Sequence, residues 1–126
     1  MDIDASILFK DVSYKIIGLA LQVHRELGPG FLEKVYENAM MVLFRQEGID
    51  AVQQMPIMVS FLGAYIGEYY ADILVEGKII LELKAVEKFT DTHKAQALNY
   101  LKATGTKLAI MINFGKESLE FERLAY

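Results

Sequence analysis

Apolar residues recur at positions 16, 17, 20, 21, 23 and 27 of DVSYKIIGLALQVHREL, residues 11–27. That spacing lines one side of a helix. Gly28-Pro29-Gly30 ends it, because glycine suits the position just past a helix and proline cannot continue one. A second helix is expected over about 31–47, with Leu32, Val35, Tyr36, Ala39, Met40 and Leu43 on one side and Gly48 as its stop. The period then changes. Residues 56–62, 66–75 and 78–86 are rich in β-branched and aromatic side chains and are separated by Gly63, Gly67 and Gly77, which reads as strands within a sheet spanning about 56–86. DTHKAQALNYLKAT, about 91–104, returns to helix and stops at Gly105. KLAIMINF, 107–114, is apolar throughout, as strands covered on both faces are. LEFERL, 119–124, alternates like an edge strand. The order α-α-β-β-β-α-β-β predicts an α/β fold with a mixed central sheet flanked by helices.

The chain has 126 residues, which fits a single domain over 1–126. Hydrophobic residues make up 53% of it, slightly more than a small monomer needs to fill its core, so a homodimer is a plausible assembly. There is no cysteine, which removes disulfides, thiolate metal sites and a cysteine nucleophile. The N-terminus, MDIDASILFK, carries acids where a signal peptide has bases, and no apolar run approaches the ~18 residues of a membrane span. A cytoplasmic protein without membrane contact is the expectation. The net charge of −4 argues against a generally basic nucleic-acid binder. Yet between Lys84 and Lys107 five lysines (84, 88, 94, 102, 107) face only Glu87 and Asp91, a local excess of +3 against −7 for the remainder. Such a run fits either a solvated helix face or a surface for phosphates.

The chemistry concentrates where it is least expected. ADILVEGKIILELKAV, 71–86, is strand-like and apolar but contains Asp72, Glu82 and Lys84. Burying charge is costly unless it is paired or bound to a metal. Strand alternation puts Ile80, Glu82 and Lys84 on one face. Asp72 joins them only if the connecting loop is odd in length. A three-residue loop over 75–77, with Gly77 at the left-handed third position of a type I turn plus bulge, pairs Asp72 with Ile80 and sets it diagonal to Glu82. Two carboxylates meeting there repel, and a divalent cation removes the conflict. Oxygen ligands suit Mg²⁺ or Mn²⁺, and a lysine beside them can hold a water or steady a phosphate transition state. The Glu-x-Lys element also fits a plain ion pair on a half-exposed strand. His93, Gln96 and Tyr100 share one face of the following helix, where Gln96 and Tyr100 can orient the lysine or touch a phosphate. That face also reads as ordinary helix surface, with Tyr100 as core. His24, on the apolar side of the first helix, reads as a core residue. Glu33 opens the second helix, where the dipole favours an acid.

GFLEKVY, Gly30 to Tyr36, matches the G-x-x-E-x-x-Y signature, and with ADILVEGKIILELKAV, HKAQALNYLKATG and INFG the chain resembles the GxxExxY protein family over nearly its whole length. That family is similar to the PD-(D/E)XK nuclease superfamily, a resemblance that implies a restriction-endonuclease-like α-β-β-β-α-β core. It implies Asp72 as the first acid of the motif and Glu82 and Lys84 as its (D/E)-x-K. Gln96 and Tyr100 then resemble the Q-x-x-x-Y element of the RecB-like branch, Glu33 the extra acid of the first core helix, and His24 a candidate for that branch's metal-binding histidine. Ala71 stands where the superfamily name has proline, which makes no chemical contribution.

The expected function is a Mg²⁺- or Mn²⁺-dependent nuclease that hydrolyses phosphodiester bonds of nucleic acid, DNA foremost. Asp72, Glu82, Glu33 and the Leu83 backbone carbonyl are its expected metal ligands. Lys84, Gln96 and Tyr100 complete the catalytic set, and a delivery partner would supply the substrate that the acidic remainder repels. The rival reading is a non-catalytic nucleic-acid-binding or protein-interaction module on the same fold.

Overall fold

In the computed structural model, which describes residues 9–126, two helices come first, α1 (Lys10–Leu27) and α2 (Glu33–Gln46). Residues 1–8 of the acidic N-terminal stretch lie outside the described residues. Helix α1 buries Ile16, Ile17, Leu19, Ala20 and Val23, the apolar stripe of its sequence, and stops at Gly28, whose φ of 68° is left-handed. The turn after it is fixed from α2. Tyr36 is fully buried, and its hydroxyl donates to the Gly28 carbonyl (2.6 Å) and accepts from the Phe31 N–H (3.2 Å). Its ring stacks on Phe114 with centroids 4.6 Å apart. The tyrosine of the G-x-x-E-x-x-Y stretch therefore holds the turn that sets where α2, and with it Glu33, begins. The expected apolar face of α2 holds in part: Tyr36 and Met40 are buried and Ala39 and Leu43 pack against the core, whereas Val35 is exposed. Leu32 stands before the helix at 81% exposure, and the buried side is Tyr36, Glu37, Met40, Met41 and Phe44. A carboxylate, Glu37, lies within that buried side.

Five strands follow, β1 (Ala51–Phe61), β2 (Ala64–Val75), β3 (Ile79–Lys84), β4 (Leu108–Asn113) and β5 (Glu120–Ala125), with α3 (Asp91–Thr104) between β3 and β4. They lie side by side in chain order, β3 and β4 parallel and the other pairs antiparallel. The parallel pair is joined through α3, as a parallel connection requires. The sheet is covered on both sides. Helices α1 and α2 pack on Ile73, Val75, Ile79, Leu81, Leu83, Leu108, Ile110 and Ile112, while Ala97 and Leu101 of α3 pack with Ile80, Ala109 and Met111 on the other face. Both faces of β3 and β4 are thus dry, which explains their near-continuous apolar sequence. Among the described residues no helix is long and apolar enough to cross a membrane.

Strand β1 begins at Ala51, earlier than the expected 56. The first part, AVQQM, hides its pairing because Gln53 points to a buried partner, the Glu37 carboxylate (Nε2 to Oε2, 2.5 Å). The hairpin of β1 and β2 is long, but β2 meets β3 only over Ile73–Val75, so its outer part is a two-stranded arm. The side of the sheet that each strand presents changes near Gln54, whose φ is 53°. Ala51 packs on the α1/α2 side and Ile57 on the α3 side; on β2, Ala71 belongs to the α3 side and Ile73 to the other.

Behind Lys84, the ends of β3 and β4 are bound tightly. Asn113 is fully buried; its Oδ1 accepts from the Val86 and Gly115 N–H groups (both 3.0 Å), and its Nδ2 donates to the Val86 carbonyl (2.8 Å). Gly115 presses against this backbone so closely that an added Cβ would lie 2.5 Å from Val86 N and 2.7 Å from Ala85 C. Backbone cannot swing aside as a side-chain tip can. Gly115→Ala is expected to cost about 1–3 kcal/mol or more, read as a lower denaturant midpoint at unchanged slope.

Candidate active site

The turn between β2 and β3 occupies 76–78, an odd number of residues. It lies one residue later than the expected 75–77, so Leu74 pairs with Ile80, and the register carried two residues on sets Asp72 level with Glu82 rather than with Ile80. The turn itself differs from a type I turn with one left-handed glycine. Glu76 (φ 54°) and Gly77 (φ 64°) are both left-handed, and the Lys78 N–H returns to the Val75 carbonyl (2.9 Å), as in primed hairpin turns. A glutamate is disfavoured there, and a two-way exchange holds it. The Glu76 N–H donates to the Asp50 carbonyl (2.8 Å), and the Asp50 N–H to Glu76 Oε1 (3.1 Å).

Pairing between β2 and β3 ends at Ile73–Leu81. Beyond it the Asp72 carboxylate takes over. Its Oδ2 accepts the Leu83 N–H at 2.7 Å. This bond draws the side chain in beside Glu82, which is only 7% exposed and whose Oε1 is buried with no hydrogen-bond partner among the described residues. Burial and the Asp72 charge push the Glu82 carboxyl up to about 8, against weaker opposition from Lys84 and the Asp72 amide. Burial likewise raises Asp72, with the Leu83 N–H pulling down and Glu37 pushing up. Lys84 is half-buried and near enough to act on both acids. Glu33, exposed in the first turn of α2, adds a smaller repulsion to each.

Tyr100 of α3 closes the other side. Burial raises its hydroxyl, followed by the nearby charge of Glu82, then Tyr69, then Asp72. Gln96, one turn earlier, is exposed and shares a cleft of about 530 Å³ with Tyr100 and Tyr69. His24 is buried, and its Nε2 donates to the Lys116 carbonyl (2.7 Å) beside the Phe114 ring. That nitrogen is committed to the backbone that follows β4. His93, on the face of Gln96 and Tyr100, caps its helix: its N–H donates to Thr90 Oγ1 (3.2 Å) and its Nδ1 accepts the Thr90 N–H (3.1 Å). The structure thus gathers Asp72, Glu82, Lys84 and Tyr100, with Glu33 at the rim, and leaves His24 engaged elsewhere.

The sequence reading missed Glu37. It is 4% exposed and accepts from Lys34 Nζ (2.8 Å), Gln53 Nε2 (2.5 Å) and Gln54 Nε2 (2.9 Å). It is close enough to Asp72 to raise it. Its only trace in the sequence is a glutamate one turn after Glu33 among the buried residues of α2.

A mixed sheet between helical layers thus holds two acids and a lysine where two strands part. The chain belongs to the PD-(D/E)XK nuclease superfamily, whose family model matches residues 10–124. Among solved structures it is similar to that of SSO0001, at 14% identity and a TM-score of 0.56 over 73% of this chain. The likeness is one of fold, and this chain spans 48% of that structure's length. A search of curated proteins finds no match.

The superfamily generally uses divalent metals, and the residues here fit one. Glu82 Oε1 lacks a hydrogen-bond partner among the described residues, and the Asp72 charge adds to the burial that raises the Glu82 carboxyl. Among the described residues no three carboxylate or imidazole side chains form a ready cage. The protein's share is therefore sparse, which suits Mg²⁺ or Mn²⁺, ions that keep several waters.

The metal-free protein carries a signature of this pair. Unfolded, Glu82 loses its proton near its ordinary 4.5; folded, it holds it up to about 8. The folded state binds the extra proton between those values, so stability falls as pH rises through that window. In EDTA, Glu82→Gln is expected to match the wild type at pH 5 and to exceed it at pH 8 by on the order of a few kcal/mol. Denaturant melts at the two pH values check this; a wild type equally stable at both would refute the buried, protonated carboxyl.

Proposed function

We propose that the protein is a Mg²⁺- or Mn²⁺-dependent phosphodiesterase acting on nucleic acid, DNA foremost. The observation that carries the reading is the partnerless Glu82 oxygen facing Asp72 beside Lys84. Asp72 and Glu82 would hold the cation with the Leu83 carbonyl, and Glu33 would add a further carboxylate from the rim of α2. When bound, such a cation supplies Lewis-acid polarisation of a phosphoryl oxygen and acidifies water.

The remaining work belongs to the chain. Leu83 donates its N–H to Asp72 and so fixes which carboxylate edge faces Glu82. Lys84 lies on the strand face of Glu82 and offers a positive donor for the attacking water or for charge on the phosphate as it grows in the transition state. Its backbone is held from behind, where the Phe114 N–H donates to the Lys84 carbonyl (2.8 Å). Tyr100 presents a hydroxyl that stays protonated and can donate near the two acids. Gln96 orients substrate from the exposed side of the same helix.

The test is a panel of single-stranded, duplex, nicked and branched DNA plus RNA, incubated with Mg²⁺, Mn²⁺ or EDTA. Cutting is expected only with metal. Glu82→Ala and Lys84→Ala are each expected to lower the rate by roughly 10²-fold or more. No cutting of any substrate, with melting temperature unmoved by either metal, would instead establish the non-catalytic module.

A further inference from the structure

The cleft beside the acids has an unusual lining. The arm contributes Ser60 and Tyr69, and α3 contributes Gln96, Asn99, Tyr100 and Lys102. The Tyr69 and Tyr100 rings stand 5.7 Å apart and 48° askew, and Tyr69 is half exposed. Two amides and a hydroxyl surround the rings, a set that both donates and accepts. No acid lines the cleft. Its cation, Lys102, rests over the Tyr126 ring (5.9 Å), whereas Lys94 of the same helix is spent on Glu122 (3.3 Å).

Exposed tyrosine edges and faces, neutral hydrogen-bonding groups and one cation match a single planar, polar, phosphate-bearing group. A volume near 530 Å³ lies within the range of small-ligand sites. Tyr100 links the cleft to the acids: it lines the cleft, and its hydroxyl lies near enough to Glu82 and Asp72 to feel their charge. A base within a duplex is stacked and paired on all sides and cannot enter; an unpaired one can.

We propose that the cleft between the β1–β2 arm and α3 binds one unpaired nucleobase, stacked on Tyr69 beside Tyr100, with Lys102 on its phosphate. The strand presented to Asp72 and Glu82 is then a single strand, as an end, flap or loop. The base-binding part stands alone, and the statement about what is cut rests on the nuclease reading above.

The two parts separate experimentally. Binding is measured in EDTA, where nothing is cut, by the anisotropy of labelled single-stranded and duplex DNA of one sequence and of single-stranded RNA. The wild type is expected to bind the single strands about tenfold or more tighter than the duplex. Tyr69→Ala is expected to weaken single-strand binding by about 10- to 100-fold and leave duplex binding unchanged, while Tyr69→Phe, which keeps the ring, stays near wild type. The chain has seven tyrosines and no tryptophan, so quenching of tyrosine fluorescence reads stacking directly. Equal binding of duplex and single strand, or a Tyr69→Ala protein that binds both as the wild type does, overturns the proposal. So does a Tyr69→Ala protein that dissociates from dimer to monomer in sedimentation with nucleic-acid binding intact, since the cleft would then receive a second copy of the chain. Selective binding without cutting under any metal would sink the nuclease reading and keep the base site; metal-dependent cutting indifferent to Tyr69→Ala would do the reverse.

Discussion

Everything distinctive about this fold turns on one hydrogen bond, from the Leu83 N–H to Asp72 Oδ2. In an uninterrupted antiparallel sheet that amide would find a carbonyl on β2. Here a side chain takes it, so β2 and β3 part after Ile73 and Leu81. The carboxylate that replaces the ladder is thereby held opposite Glu82, at the edge of an interior that is dry on both sheet faces. Two like charges cannot both ionise cheaply at such a place. The pair must keep a proton or gain a cation. Glu82 holding its proton up to about 8 is the first solution, and the partnerless Oε1 marks where the second would act.

The surrounding structure makes this parting of strands tolerable. Gln54 adopts a left-handed backbone at the level of Asp72, and its side chain is tied to Glu37. Glu37 also takes Gln53 and Lys34, so one buried carboxylate binds α2 to β1 where the hairpin rolls from one side of the sheet to the other. A lone charge that deep would be costly; three donors make it a strut. On the far side, Asn113 and Gly115 lock the chain just after Lys84. The site is therefore splayed between two firmly bound flanks, and the arm beyond it is free to present aromatic rings.

The strong patterns in the sequence were legible. Helical periodicity gave α1 and α3, and unbroken apolarity gave β4, because those elements obey local rules. Asp72, Glu82 and Lys84 stood out for the opposite reason, as charges within the most apolar, strand-like stretch of the chain. Features that depend on distant partners stayed hidden. Nothing in their local sequence shows that Glu37 and Gln53 meet each other, which is why Glu37 was absent from the expected buried side of α2 and β1 starts earlier than expected. The turn at 76–78 shifted by one residue because Glu76 is held left-handed by Asp50, 26 residues away in the chain. His24 and His93 show how little a histidine's position says: one serves the Lys116 carbonyl and the other caps α3.

The central claim is that the Asp72–Glu82 pair is built to exchange a proton for a cation. Calorimetric titration of Mn²⁺ into metal-free protein at pH 7, in two buffers of different ionisation enthalpy, tests it most directly. The account predicts saturable binding whose heat differs between the buffers, because Glu82 gives up its proton as the ion enters. No binding, or binding with the same heat in both, would contradict it.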